Sequence, residues 1–168
     1  VVITGKASHA GFAPQDGINA LSAAAKAVAR IPQGKISEQT TLNIGTMQAG
    51  TAKNIVPEHC VCTGEVRSFD HEEAEKAVGN VREIFQAEAE RISAQLEFNS
   101  TVHIHAYETP EDDRVCEDFQ KASERLGLSG RLVETLGGSD NNVFAEKGIS
   151  GIVLSCGMYK THSTEEYT

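Results

Sequence analysis

The sequence predicts an α+β fold: a four-stranded sheet with two helices on one face, followed by a shorter α/β segment. Three observations predict it. Over residues 1–109 the apolar pattern switches between period two and period 3.6 in the order strand, helix, strand, strand, helix, strand. That order is the split βαβ, ferredoxin-like arrangement. An acidic stretch from Pro110 to Arg114 then marks a boundary, and residues 110–168 return to an α/β rhythm in a length too short to bury a good core alone.

The elements follow in order. Val1–Ala7 is β-branched and bounded by the turn-like stretch from Gly11 to Gly17, so it reads as the first strand. Residues 18–31 turn helical, with Leu21, Ala24, Val28 and Ile31 at helical spacing and Pro32 as the stop. Thr40–Gln48 reads as the second strand, with Leu42, Ile44 and Thr46 alternating against Asn43 and Gly45. Ile55–Phe69 reads as the third, entered through Pro57. Cys60, Cys62, Gly64 and Val66 share one face; His59, Thr63, Glu65 and Arg67 share the other.

Asp70 opens the second helix. Asp70 and Glu73 sit three apart, close to a capping box, and Val78, Val81, Phe85 and Ile92 mark the buried stripe. Leu96–Tyr107 reads as the fourth strand. Beyond the boundary come a helix over 113–126, a stop at Gly127–Gly130, a strand over 131–136, a glycine turn, a helix over 139–147 and a strand over 151–156.

Composition narrows the function. Hydrophobic residues make up 39% and charged residues 23%, a globular balance. The formal net charge is −9, without the basic patch that a nucleic-acid binder carries. No apolar run approaches the ~20 residues of a membrane helix. The chain starts at Val1, within a strand and without an initiator Met, so the natural protein is expected to extend upstream. Cys60, Cys62, Cys116 and Cys156 show no CxxC spacing, and buried free thiols of a cytoplasmic protein are the reading.

Five polar features stand out in loops and at strand ends. His9 lies among small residues in Gly5-Lys6-Ala7-Ser8-His9-Ala10-Gly11 and can reach into a neighbouring site, or serve as an ordinary loop histidine. Asn54 offers donor and acceptor groups, or shapes its own turn. Arg67 can clamp a carboxylate with its planar fork, or pair with Glu65 or Asp70 on the surface. Gly137-Gly138-Ser139-Asp140 can present amides at a helix start, or form a tight turn in which Ser139 or Asp140 is the cap. His162 can be a metal ligand, or an exposed histidine in a polar tail. His103 and His105, two apart on the expected fourth strand, read as an exposed face.

Taken together and in order, GKASHAG with PQDGINAL, GTAKNIVPEH, GEVRSFD, GGSDNN and THSTEEY resemble a known family over nearly the whole chain. It is that of the zinc-dependent peptidases and amidohydrolases, which includes peptidase T, aminoacylase and succinyl-diaminopimelate desuccinylase. The peptidase T-like branch is the nearest.

The resemblance implies a catalytic domain with two divalent metals, usually zinc, whose bridging water is activated for attack on a carbonyl. The ferredoxin-like part would be a lid inserted into that domain, and often a dimerisation domain. His9 matches a histidine that stabilises the tetrahedral oxyanion, often across the dimer. Asn54 matches a lid asparagine near the same atoms, and Arg67 the arginine that holds the substrate's terminal carboxylate. Gly137, Gly138 and Ser139 match a turn along the substrate backbone, and His162 a late metal ligand.

The family's other metal ligands and its general base precede the lid, so this chain alone is expected to be inactive. GGSDNN departs from the shorter GGTD-type turn. The function this implies for the whole protein is hydrolysis of short peptides, with N-acyl amino acids as an alternative substrate class. A non-catalytic dimerisation or ligand-binding module is a further alternative. The expected partners are a short peptide with a free carboxylate and a second copy of the chain, with no nucleic acid and no membrane.

Overall fold

A computed structural model describes residues 1–168. The chain divides into two compact units, Val1–Val102 and His103–Thr168. The division falls ahead of the expected boundary after residue 109. The residues just beyond Val102 are held by the second unit: the His105 carbonyl accepts from Asn142 Nδ2, the Tyr107 hydroxyl from Asn141 Nδ2, and Thr109 Oγ1 donates to the Gly151 carbonyl.

The first unit holds β1 (Val2–Thr4), α1 (Ala20–Arg30), β2 (Gly34–Lys35), β3 (Thr40–Ala49), β4 (His59–Ser68), α2 (His71–Glu90) and β5 (Gln95–Glu97). The strands form one antiparallel sheet in the order β2-β3-β4-β1-β5. Apart from the two-residue β2, this is the expected split βαβ topology.

The core lies between the sheet and the helices: Ile3, Leu42, Cys60 and Cys62 from the strands meet Ala20, Ala23, Ala24, Ala27, Val81 and Phe85. Alanine, more than the expected Leu21, lines the buried face of α1, and Leu21 is 36% exposed. Ala24 and Ile31 of the expected stripe are buried and Val28 packs against the core, so Leu21 alone departs from it. Burial pushes the Cys60 thiol up to about 12, with the neighbouring Cys62 adding to the effect. All four cysteines are free, but Cys156 is exposed, which corrects the expectation that every thiol is buried.

Three local features depart from the sequence pattern. Gly45 is an extra residue on β3: Ile44 pairs with Gly64, and Thr46 with Thr63. The bulge reverses the alternation, so Thr46 joins the face of Thr63, where their hydroxyls meet at 2.6 Å, and not the face of Leu42. Gly64 is required opposite, because a Cβ there would lie 2.4 Å from the Asn43 carbonyl oxygen.

Asp70 does cap α2, accepting from the amides of Glu72 and Glu73. Glu73 does not complete the box. Its carboxylate accepts from Thr40 Oγ1 and Ser37 Oγ instead, tying the helix start to β3. The fourth strand is only three residues long, and 98–107 forms no ladder; His103 and His105 are therefore not strand residues.

One buried carboxylate joins the helices. Glu88 of α2 is 2% exposed; Arg30 of α1 donates to it, and Arg91 lies 3.6 Å away. A charge removed from water in this way is tolerable only because it is paired.

The second unit holds α3 (Arg114–Arg125) and α4 (Asp140–Glu146). Asp113 caps α3 through the Val115 amide and accepts from Ser150 Oγ at 2.6 Å; these two bonds hold its carboxyl below the usual range. The strands expected at 131–136 and 151–156 form no ladder. Only Cys116, Ser123 and Asn142 are buried in this unit, while Leu128, Val133, Ile149, Val153 and Leu154 stay exposed. No strand of this unit lies alongside them to form a ladder, although the Gly151 carbonyl accepts from Thr109 Oγ1 and Asn141 Nδ2.

Candidate functional site

After β1 the chain continues as an extended strap, pinned to two other segments. The Gly5 amide donates to the Glu58 carbonyl at 2.7 Å, and Lys6 and Ile18 exchange two backbone bonds. Val56 N donates to the Ser8 carbonyl, and Ala10 N to the Asn54 carbonyl, both at 2.9 Å. His9 and Ile55 form a bridge between these bonds. Gly5 has no room for a side chain, since a Cβ would lie 2.1 Å from the Ile18 carbonyl oxygen.

This lattice brings His9 and Asn54 side by side at the end of the sheet where β1 leaves and β4 begins. A shallow groove of about 280 Å³ opens at the same end, between Ala7, Gln48 and the 55–59 segment.

The His9 ring is oriented. Its Nδ1 accepts from the amides of Gly11 and Phe12, both at 3.1 Å. In the neutral imidazole, the proton is then on Nε2. That nitrogen becomes a donor on an exposed ring, suited to a developing negative charge. Phe12 stacks on the same ring, with centroids 4.2 Å apart and planes 19° apart. Sequence reasoning passed over Phe12; a lone aromatic in a glycine- and proline-rich loop, outside any periodic pattern, was the available signal. Asn54 sits in the turn and is fixed by its carbonyl, while its side chain is exposed.

Arg67 is elsewhere. It lies eight residues beyond His59 along β4, roughly 26 Å at ~3.3 Å per residue. It pairs with Thr41 at the opposite end of the sheet. Its guanidinium makes two 3.0 Å bonds to Glu65, the surface ion pair that the sequence left open. Within one chain, the segments of His9 and Asn54 meet at one end of the sheet, and Arg67 lies at the other.

In the second unit Ser139 is a helix cap. Its hydroxyl accepts from the Asn141 amide, and its own amide donates to Asn142 Oδ1. The Gly137 amide is taken by Thr135 Oγ1 at 3.0 Å. A Cβ at Gly138 would lie 2.5 Å from Ile104 Cδ1, the end of a partly exposed side chain that would have to turn aside.

His162 stands in a tight exposed loop with φ of 63°, its amide bonded to Glu166 at 2.6 Å. Lys160 engages Glu165. The nearby carboxylates are thus occupied, and nowhere in the chain do three or more His, Cys, Asp or Glu side chains converge to hold a metal. The residues present do not fit a metal centre.

The chain spans about 44% of the length of the curated relatives it matches first. Aminopeptidase PepT from Bacillus cereus aligns with a TM-score of 0.84 at 36% identity, over 98% of this chain and 44% of that one. A tripeptidase from Staphylococcus aureus aligns with a TM-score of 0.89 at 32% identity, over the same shares of the two chains. N-acetylcysteine deacetylase of Bacillus subtilis is 28% identical over 174 residues, 99% of this chain and 44% of the relative. The family model described as a peptidase dimerisation domain, that of the M20 peptidases, matches residues 1–93, which hold four of the five strands, both helices of the first unit and the strap that carries His9. The chain therefore belongs to the M20 peptidase dimerisation domain family.

Proposed function

We propose that the whole protein is a metal-dependent hydrolase of short peptides with a free terminal carboxylate, and that it works as a homodimer. His9 donates from Nε2 to the oxyanion, Asn54 contacts the same substrate atoms, and Arg67 binds the carboxylate. Gly137, Gly138 and Ser139 border the substrate backbone. The two divalent metals, with zinc as the expected ion, and the general base belong to residues outside these 168; His162 would be a single late ligand. The isolated chain is inactive on this reading.

One observation carries the proposal: His9 and Asn54 lie at one end of a single sheet and Arg67 at the other. A peptide spans only about 3.3–3.6 Å per residue, so one tripeptide cannot touch both ends of the same sheet. Two copies resolve this. β2 covers only Thr41 and Leu42 of β3, which leaves the far half of β3 as an open edge. Antiparallel pairing of two such edges carries the His9 end of one copy towards the Arg67 end of the other.

Mixing two inactive variants tests the arrangement. His9→Ala and Arg67→Ala full-length proteins, unfolded and refolded together, are expected to regain about a quarter of wild-type activity, because half the dimers carry one intact site. No recovery on mixing would mean that both groups act within one chain.

A second reading keeps the site and changes the substrate to an N-acyl amino acid. The similarity to N-acetylcysteine deacetylase favours it. Both substrates carry an amide near a carboxylate, so comparing tripeptides with N-acetyl amino acids decides between them.

A further inference from the structure

We infer that Phe12 selects the side chain of the substrate residue that supplies the scissile carbonyl; this rests on the function proposed above. Phe12 is 86% exposed, more than any other large apolar side chain in the chain. Exposure of that kind has a cost in water, and it is not the result of a loose loop. The Phe12 amide donates to His9 Nδ1, and the Ala13 amide donates to the His9 carbonyl at 3.0 Å. A short 3₁₀ turn, Pro14–Asp16, closes the segment. These bonds fix the backbone on either side of Phe12, and its ring lies stacked on the imidazole with most of its surface open.

Position gives the preference its direction. His9 Nε2 is the donor to the carbonyl oxygen as negative charge develops there. The side chain of the residue that owns this carbonyl begins two bonds from the carbonyl carbon, about 2.5 Å away. An aromatic ring stacked on the histidine, with centroids 4.2 Å apart, is therefore among the nearest apolar surfaces to that side chain. A leucine or phenylalanine side chain would cover the exposed ring face; glycine would leave it wet.

The test uses the full-length dimer and tripeptides that differ only at the residue before the scissile bond. Phe12→Ala keeps the backbone bonds to His9, so it removes only the ring. It is expected to lower kcat/KM at least about tenfold for Leu or Phe at that position, and to change it by less than about twofold for Gly. Phe12→Leu should retain most of the preference. Equal losses on all substrates would overturn the inference and leave Phe12 as a positioning residue for His9. Dissociation of the Phe12→Ala dimer would also overturn it, since the ring would then be an interface contact. If wild type cleaves no peptide, the hydrolase reading falls and takes this inference with it; wild-type cleavage with an unchanged preference in Phe12→Ala sinks only the inference.

Discussion

The two units of this chain were built from similar sequence patterns and reached different ends. In the first, every principal strand finds a neighbour and both helices cover the sheet, so Phe85 and Ile3 are almost fully withdrawn from water. In the second, the helices form and are capped as well as any in the first, yet 131–136 and 151–156 join no strand ladder. The difference teaches that a helix satisfies its own backbone while a strand does not. Local sequence is enough for α3 and α4. It is not enough for a strand, which needs a second one alongside.

The largest break of that contrast would come from core truncation. Phe85→Ala should cost about 3–5 kcal/mol in chemical denaturation of the 168-residue chain. Leu126→Ala in the second unit, at a side chain 73% exposed, should stay within about 0.5 kcal/mol. Similar losses at both sites would mean that the second unit holds a core of its own.

The buried carboxylate sharpens the comparison next. Arg30→Ala leaves Glu88 buried with only the more distant Arg91, and should cost about 1–3 kcal/mol. Glu88→Gln should cost less, because Arg30 and Arg91 are both largely exposed and can turn to water. The reverse order would show that the helices depend on the carboxylate and not on its neutralisation.

The thiols report the smallest effects. Cys60 ionises near 9.0 in the open chain and at about 12 in the folded one, so the folded state holds its proton longer. Stability of the first unit is then complete below pH 9 and falls as the pH rises towards 12. Cys60→Val should flatten that slope in thermal melts; an unchanged slope would assign it to other groups. Thiol labelling should modify Cys156 at once, then Cys116, and Cys60 and Cys62 last. Equal protection of Cys116 and Cys60 would contradict the difference between the units.

Much of the first unit was legible because its signals are local. Pro32 ends α1, Asp70 starts α2, and the Cys60–Cys62 spacing places both thiols on the buried face. What could not be read depends on contacts between distant segments. The bulge at Gly45 exists only against Gly64, and Glu73 left its capping role for Thr40. At the candidate site, the segments that carry His9 and Asn54 are joined by backbone bonds. The distance to Arg67 was hidden because it depends on how far β4 runs straight, and Phe12 because loops carry no periodicity.

The kink at Gly45 bears on aggregation. A straight, regular open edge is a template for any extended polypeptide, and its usual end is a fibre. Here the register breaks partway along, so an arriving strand fits over the full length only if it carries the same irregularity in the opposite direction. An identical molecule turned through half a revolution does. Such a pairing uses up the open half of β3 in both molecules and leaves only the three-residue β5 at the other edge of each sheet. The break at Gly45 thus makes β3 a poorer template for open-ended growth than a straight edge would be.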